Sequence, residues 1–329
     1  MNKVEIVNLN ATQADVIQER FAAARLCVVG NINRDIKTAP FAATESLLRD
    51  GETPVHEIFE TVGGGGAISA CAAAALGASV AFVGKIGDDA AGERLQRAMI
   101  HRGVKPFLRR GQEATGASLA LNYAHGERHF LSWQPNNATL RFEDLDLQGL
   151  IGATHLLRAD IWFSEPMLFG GNAKLFQEAR HRGIEISLDL NWDPQWGSGS
   201  EMRIRERKEA VRAVLPWVTL AHGNVRELNA FADAPDLQTS LERITGWGAE
   251  AVVVHLGPAG AGYYANGTLR TEPAAPIERC VNQAGSGDVL SVCMMLLHGS
   301  AWPISERLQV ANRIVANFMR GELDLIPPL

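Results

Sequence analysis

Short apolar runs at Leu26–Val29, Val80–Val83, Thr154–Leu157, Ile184–Asp189, Trp217–Ala221 and Ala251–Leu256 are separated by segments with helical patterning. Runs this short and this continuously apolar are the strands of a sheet covered on both faces, and their alternation with helices predicts a mainly parallel sheet in an α/β fold. The rhythm fails in two places. Ile36–Val62 carries a turn signal at Asp50-Gly51 and an alternating stretch at Val55–Val62, without a long apolar run. Ala117–Trp133 reads as a hairpin turning at His125-Gly126-Glu127. Both look like excursions into a smaller, less buried sheet.

Helices are expected at Thr12–Ala24, where Thr12 and Asp15 have capping-box spacing, and at Ala67–Leu76, Gly92–His101 and Ile304–Met319. The chain has 329 residues, 46% of them hydrophobic and 21% charged, enough to bury a large core. A formal charge of −6 argues against a nucleic-acid or anionic-membrane partner. No apolar stretch reaches membrane-spanning length. An N-terminus bearing Glu5, Asp15 and Glu19 does not read as a signal peptide. Cys27, Cys71, Cys280 and Cys293 are scattered, without a CxxC pair, which fits reduced, mostly buried thiols and a cytoplasmic protein.

The densest chemical signal is Val281–Leu290, VNQAGSGDVL, which leads from a polar segment into an apolar helix. Gly285, Ser286 and Gly287 can present backbone N–H groups to an anion where a starting helix leaves its donors unpaired. Asp288 places a carboxylate beside them. An anion cradle with an adjacent base suits phosphoryl transfer to a hydroxyl, although a glycine turn with a dipole-favoured Asp has the same spelling.

Other segments keep two readings. Gly30–Asp35, GNINRD, puts Asn33 and Asp35 after the first strand, where ligands collect in open α/β sheets and where Asn and Asp also make turns. The glycines Gly63–Gly66 serve either close helix packing or close approach to a ligand. Asn224 and Glu227 have the spacing of a capping box and equally of a pair facing a hydrated Mg2+. Gly257–Gly260 is a turn after a strand whose backbone can line a nucleotide. Trp192 and Trp196 read as packing, and Arg203–Arg212 as a solvated helix face. P-loop, GxGxxG, HExxH and GxSxG motifs are absent from the sequence.

Taken together, GNINRD, Gly51-Glu52-Thr53, GGGGA at Gly63–Ala67, Gly87-Asp88-Asp89 with Gly92, Asn224-x-x-Glu227 and NQAGSGD resemble, in order and spacing, the PfkB/ribokinase family of carbohydrate kinases over roughly residues 26–320. The resemblance implies a ribokinase-like Rossmann-type α/β/α sandwich with a small β-sheet lid. The core would comprise 26–36, 62–111 and 138–329, the lid 37–61 and 112–137, and an N-terminal helical extension 1–25. It implies ATP and Mg2+ as cofactors, with a monovalent cation as a further candidate. Asp288 would be the base and Gly285, Ser286 and Gly287 the anion hole. Asn33, Asp35, Gly63, Gly64, Asn137 and Asp189 would hold a sugar or polyol. Asn224, His255, Gly257, Gly260 and Asn312 would hold the nucleotide, and Glu227 the Mg2+ through water.

The implied reaction is phosphorylation of a hydroxyl, primary by preference, of a neutral sugar or polyol. A nucleoside kinase, with Phe130 and Trp133 offering a slot for a base, and a non-catalytic sugar sensor are the alternatives. Lid strands of such chains often pair between subunits, which implies a homodimer. The chain departs from the pattern at Asn282-Gln283, at Ile68, at Gly65, at His255 and at Asp193, where an Arg is frequent. Loss of that Arg speaks against an acidic sugar. The N-terminal helix and the 39–50 segment have no assigned role.

Overall fold

The computed structural model describes residues 11–43, 47, 49–125, 127–282 and 284–329. Glu5, Gly126 of the expected hairpin turn, Gln283 and part of the 39–50 segment lie outside the described residues, as does the Thr12 side chain.

The chain opens with α1 (Ala11–Ala23) and enters the sheet at β1 (Arg25–Val29). The α1 face bearing Ile17 and Phe21 is buried, and Arg20 donates to the carbonyl of His298 at 2.6 Å, so the N-terminal helix is packed onto the core rather than projecting from it. Asn33 and Asp35 lie not in a turn but inside β2 (Asn33–Thr38), which pairs with β3 (Ile58–Gly63). Next come α2 (Gly65–Ala75), β4 (Ser79–Gly87), α3 (Ala90–His101) and β5 (Val104–Gly111). Both β4 and β5 extend the sheet beyond what apolar runs reveal, because Lys85, Arg109 and Arg110 belong to strands.

The hairpin is β6 (Ala117–Asn122) and β7 (Arg128–Trp133). With β2 and β3 it forms a four-stranded sheet in the order β3-β2-β6-β7, in which β2 and β6 run parallel. The two β excursions of the sequence therefore meet in one sheet. Chain end and sheet edge also meet: Val62 donates to Pro327 at 3.1 Å and Leu329 to Glu60 at 3.0 Å, which covers the free edge of β3.

A short helix α4 (Pro135–Ala138) returns the chain to β8 (His155–Arg158), followed by α5 (Asn172–His181), β9 (Glu185–Asp189), α6 (Glu201–Arg212) and β10 (Leu220–Asn224). Strand β10 starts later than the apolar run Trp217–Ala221 suggests, since Leu215–Trp217 forms a tight turn. Then α7 (Val225–Ala232), α8 (Leu237–Gly246), β11 (Ala251–His255), β12 (Ala261–Ala265), β13 (Thr268–Glu272), α9 (Ser286–Leu296) and α10 (Ile304–Met319) complete the order.

The large sheet runs β13-β12-β11-β10-β9-β8-β1-β4-β5, parallel from β5 to β11 with β12 and β13 antiparallel. Alternate side chains of β1 enter opposite cores: Leu26 and Val28 pack with α1, α2, α9 and α10, Cys27 and Val29 with α5, α7 and α8. This is a three-layer α/β/α sandwich. Helix α9 is apolar all round and buried from Val289 to Leu296, as a helix between sheet and other helices must be. The order reverses between β1 and β8, so the crevice at the C-terminal ends of these strands is the expected ligand position.

Two expectations change. Arg207 and Lys208 of α6 are buried, not solvated: Arg207 makes a bidentate pair with Asp193, which is itself 0% exposed. Asp193 thus serves as the counterion of a core arginine. Cys280 is exposed, whereas the other three cysteines are buried. No helix among the described residues is long and apolar enough to cross a membrane.

Candidate active site

Gly285 caps α9 at φ +90°, with no side-chain cap on the helix. The first-turn residues Ser286, Gly287 and Asp288 therefore border a cavity of about 850 Å3 with no N-cap side chain over them. Ile68 and Ile326 press against the Gly285 turn, where an added Cβ would lie 2.8 Å from Ile326 Cδ1 and 3.2 Å from Ile68 Cγ2. Ile68, a departure from the family pattern, is thus a packing wall for the Gly285 turn.

Asp288 lies half-buried on the cavity floor. Desolvation, then the carboxylates of Asp189 and Asp160, push its acid well above the ordinary aspartate range. Asp189, at the end of β9, is pushed up to about 8, mainly by burial and by Glu227. It accepts from Ser291 Oγ at 3.2 Å, and the same hydroxyl lies 3.2 Å from His255 Nε2. Burial lowers His255 to about 4, so the ring is neutral.

In β2, Asn33 Nδ2 donates to Asp35 Oδ1 at 2.8 Å, while Asn33 Oδ1 is buried without a partner. Burial pushes Asp35 up to about 6, with Lys37 opposing, its ammonium 3.8 Å away. The glycines allow close approach of protein to protein. Gly63 must lack a Cβ because that atom would fall 2.0 Å from Asp35 Oδ1, and Gly66 passes Gly30 where a Cβ would meet its Cα at 2.7 Å.

Asp160, which follows β8, was not singled out by sequence. It adopts φ +56° and accepts N–H groups of Asn31 at 3.0 Å, Gly66 at 2.8 Å and Gly65 at 3.3 Å. It fastens the β1 loop to the start of α2 and puts negative charge near Asp288. Its only signal is adjacency to β1 at the reversal of strand order, and adjacency is not written in one sequence.

Around the opposite end of the cavity, Asn224 and Glu227 form the capping box, with reciprocal bonds of 2.9 Å, and also line the cavity. The capping-box reading of that pair therefore holds, and the same two residues border the cavity. Gly257 and Gly260 line it at positive φ, and Asn312 lines it while its amide braces the carbonyls of Glu272 and Pro273. Ile277, Val315, Ala316 and Met319 supply an apolar wall.

Not every candidate converges. Asn137 is buried and its amide is bonded to both backbone groups of Ile32, which makes it a brace for the β1 loop. Gly51–Thr53 sit in an irregular stretch before β3. Phe130 and Trp133 lie on opposite faces of β7 and cannot form one slot; the residue sharing the Phe130 face across the sheet is Phe59.

Similar proteins were found at three levels. The chain matches the pfkB family carbohydrate kinases over residues 23–316. It is 29% identical over 129 residues to cytidine kinase of Thermococcus kodakarensis, an alignment spanning 39% of this chain and 44% of that enzyme, so the match covers less than half the relative. It is 24% identical over 277 residues to 2-dehydro-3-deoxygalactonokinase of Haloferax volcanii, spanning 79% and 82%. The fold superposes on fructokinase of Xylella fastidiosa with bound ATP at TM-score 0.74 and 18% identity, covering 90% of this chain and 92% of that one. With the family match extending over nearly the whole chain, this protein belongs to the pfkB family of carbohydrate kinases.

Proposed function

We propose that this protein transfers the γ-phosphoryl group of ATP to a hydroxyl, primary by preference, of a sugar or sugar-like polyol. The observation that carries the reading is Asp288, a half-buried carboxylate in the first turn of a helix whose N-cap is a glycine, lining the cavity. Asn33, Asp35 and Gly63, on the paired strands β2 and β3 of the small sheet, suit a hydroxyl-rich acceptor. The cavity, with its apolar wall and the glycines Gly257 and Gly260, suits adenine and ribose.

The acceptor hydroxyl gives its proton to Asp288 while its oxygen forms the new bond to phosphorus. The bond to the bridging oxygen breaks and ADP leaves. Gly285, Ser286 and Gly287 stabilise charge on the transferring group. Asn33 and Asp35 orient the acceptor, and the small sheet acts as a lid that excludes water.

Mg2+ fits this donor set. Asp288, Asp189 and Glu227 bring more negative charge to the cavity than its side chains balance, as their mutually raised acids show. No cluster of three or more metal-binding side chains forms among the described residues. A cation that keeps its waters and phosphate oxygens would use Glu227 and Asp189 at second hand, and would neutralise phosphate charge when bound.

ADP release from ATP and Mg2+ over pentoses, hexoses, ketoses, polyols and nucleosides tests the reading. Turnover with one acceptor class is expected; silence from folded, ATP-binding protein would leave a sugar sensor instead. The nucleoside reading keeps one supporting feature, Phe130 on the same lid face as Asp35. A thermal shift with cytidine or adenosine but none with hexoses would select it.

Two further outcomes are expected. Asp189→Asn removes a carboxylate that raises Asp288, so the acid limb of kcat against pH should move down by roughly one unit; an unmoved limb would separate the two groups. The opposite lid face exposes Ile58, Leu131 and Trp133 at 60, 56 and 63%. That apolar face supports a homodimer through the lid, to be checked by light scattering, with Leu131→Glu expected to yield monomer and a wild-type monomer refuting it.

A further inference from the structure

Strand β2 buries the wrong face for a strand held by packing alone. Asn33, Asp35 and Lys37, two residues apart and so on one face, are 1, 6 and 7% exposed, while Ile36 lies on the other face, half-buried beside Arg34. Hydrophobic burial would turn Ile36 inward and leave the amide, the carboxylate and the ammonium in water. The inversion instead sets three polar groups in a row, and the charge at the end of that row is felt by Asp288 as well as by Asp35.

These groups do not satisfy one another. Asn33 Nδ2 donates to Asp35 Oδ1, which fixes the amide's orientation and leaves Asn33 Oδ1 without a partner. The Lys37 ammonium stands 3.8 Å from Asp35 Oδ2, close enough for an ion pair and too far for a hydrogen bond, and it donates to no atom among the described residues. The other two buried lysines differ. Lys85 donates to Thr139 at 2.9 Å and pairs with Glu113 at 3.1 Å, and Lys208 donates to Asp233 and to the carbonyl of Ala230. A buried ammonium with three idle donors is costly, and a merely structural counterion would close on its carboxylate. Hydroxyls on neighbouring carbons bridge such a spacing, one donating to Oδ2 and the next accepting from Nζ.

We propose that Lys37 is an acceptor-binding residue that selects a neutral vicinal diol: it donates to one hydroxyl of the acceptor while Asp35 accepts from the neighbouring one. This rests on the kinase reading and deepens it. An anionic acceptor suits the place less well, because the carboxylates of Asp35, Asp160 and Asp288 act on the same spot and outnumber the cations Lys37 and Arg128. A diol needs one donor, one acceptor and no net charge, which the Lys37–Asp35 pair supplies. A deoxy compound leaves one member of the pair buried and unbonded, and that penalty is the means of rejection.

The test uses the full chain with ATP and Mg2+, and compares wild type, Lys37→Met and Lys37→Arg. The probes are D-ribose, D-fructose and ribitol as neutral diols, 2-deoxy-D-ribose as the deoxy compound and D-gluconate as the anion, with thermal shift read beside kcat and KM. Wild type should take a neutral diol and discriminate against its deoxy counterpart. Lys37→Met should raise KM for that diol by about 10–100-fold, leave KM for ATP little altered, and lose the discrimination. Because the ammonium bonds to nothing, the ligand-free Lys37→Met protein should melt no lower than wild type. Lys37→Arg keeps the charge and moves the donor, so it should raise the same KM. An unchanged acceptor KM with a lower melting temperature would make Lys37 a structural counterion and overturn the assignment, with the kinase reading left standing. Preference for D-gluconate, lost in Lys37→Met, would overturn the neutral diol in favour of a carboxylate. A wild type that transfers no phosphate yet is stabilised by a neutral diol, with that shift absent in Lys37→Met, would keep the assignment and remove the kinase reading. A wild type that binds ATP and none of the probes would remove the assignment.

Discussion

Replacement of Asp288 with asparagine should lower kcat by about 10^2–10^4-fold while ATP and acceptor still bind, because the variant keeps the shape of the cavity floor and loses the proton acceptor. Steady-state kinetics with parallel calorimetry reads both effects. Stability should move the other way. The folded acid of Asp288 is raised, so the native state favours the protonated carboxyl. That contribution is complete below the unfolded aspartate range and is lost as pH rises through the folded value. Ligand-free Asp288→Asn should therefore melt above wild type at alkaline pH, with a difference that shrinks toward acid. A variant that is both fully active and no more stable would show that Asp288 is neither base nor a strained charge.

Gly285→Ala should be the most damaging change in the anion cradle. The residue sits at φ +90°, where an L side chain costs roughly 1–2 kcal/mol, and its Cβ would meet Ile326 at 2.8 Å. Relief of that clash must turn the loop that aims the first donors of α9. A loss of about 10^2–10^3-fold in kcat is expected, with a melting point a few degrees lower. Gly287→Ala is the control: the residue lies within the helix and its Cβ would approach only the His255 ring, at 3.2 Å. A Gly287→Ala variant worse than Gly285→Ala would mean that crowding at His255, not loop geometry, governs the cradle.

Much of this was legible in sequence because it is local. A short apolar run announces a buried strand, and an anion cradle must be spelled in consecutive residues, as in Gly285–Asp288. Helix α10 falls where its periodicity puts it, from Ile304 to Met319. What was hidden depends on distant partners. Strands β4 and β5 carry charged residues because β5 is the edge of the sheet, where Arg109 and Arg110 reach Asp144 and Asp88, so apolar runs understate them. Asp160 acquires its place from three N–H groups of the β1 loop and α2. Asp193 reads as a missing sugar contact until Arg207 appears beside it. The Asn224–Glu227 pair shows the converse limit, since cap and cavity lining turned out to be compatible in one geometry.

Phosphorus NMR of the complete reaction tests the central assignment most directly. With ATP, Mg2+ and the acceptor that supports turnover, ATP should convert to ADP and a phosphomonoester of that acceptor in equal amounts, and Asp288→Asn should abolish both signals together. Release of ADP with free phosphate instead, or a phosphomonoester formed undiminished by Asp288→Asn, would contradict the placement of the base and the acceptor pocket.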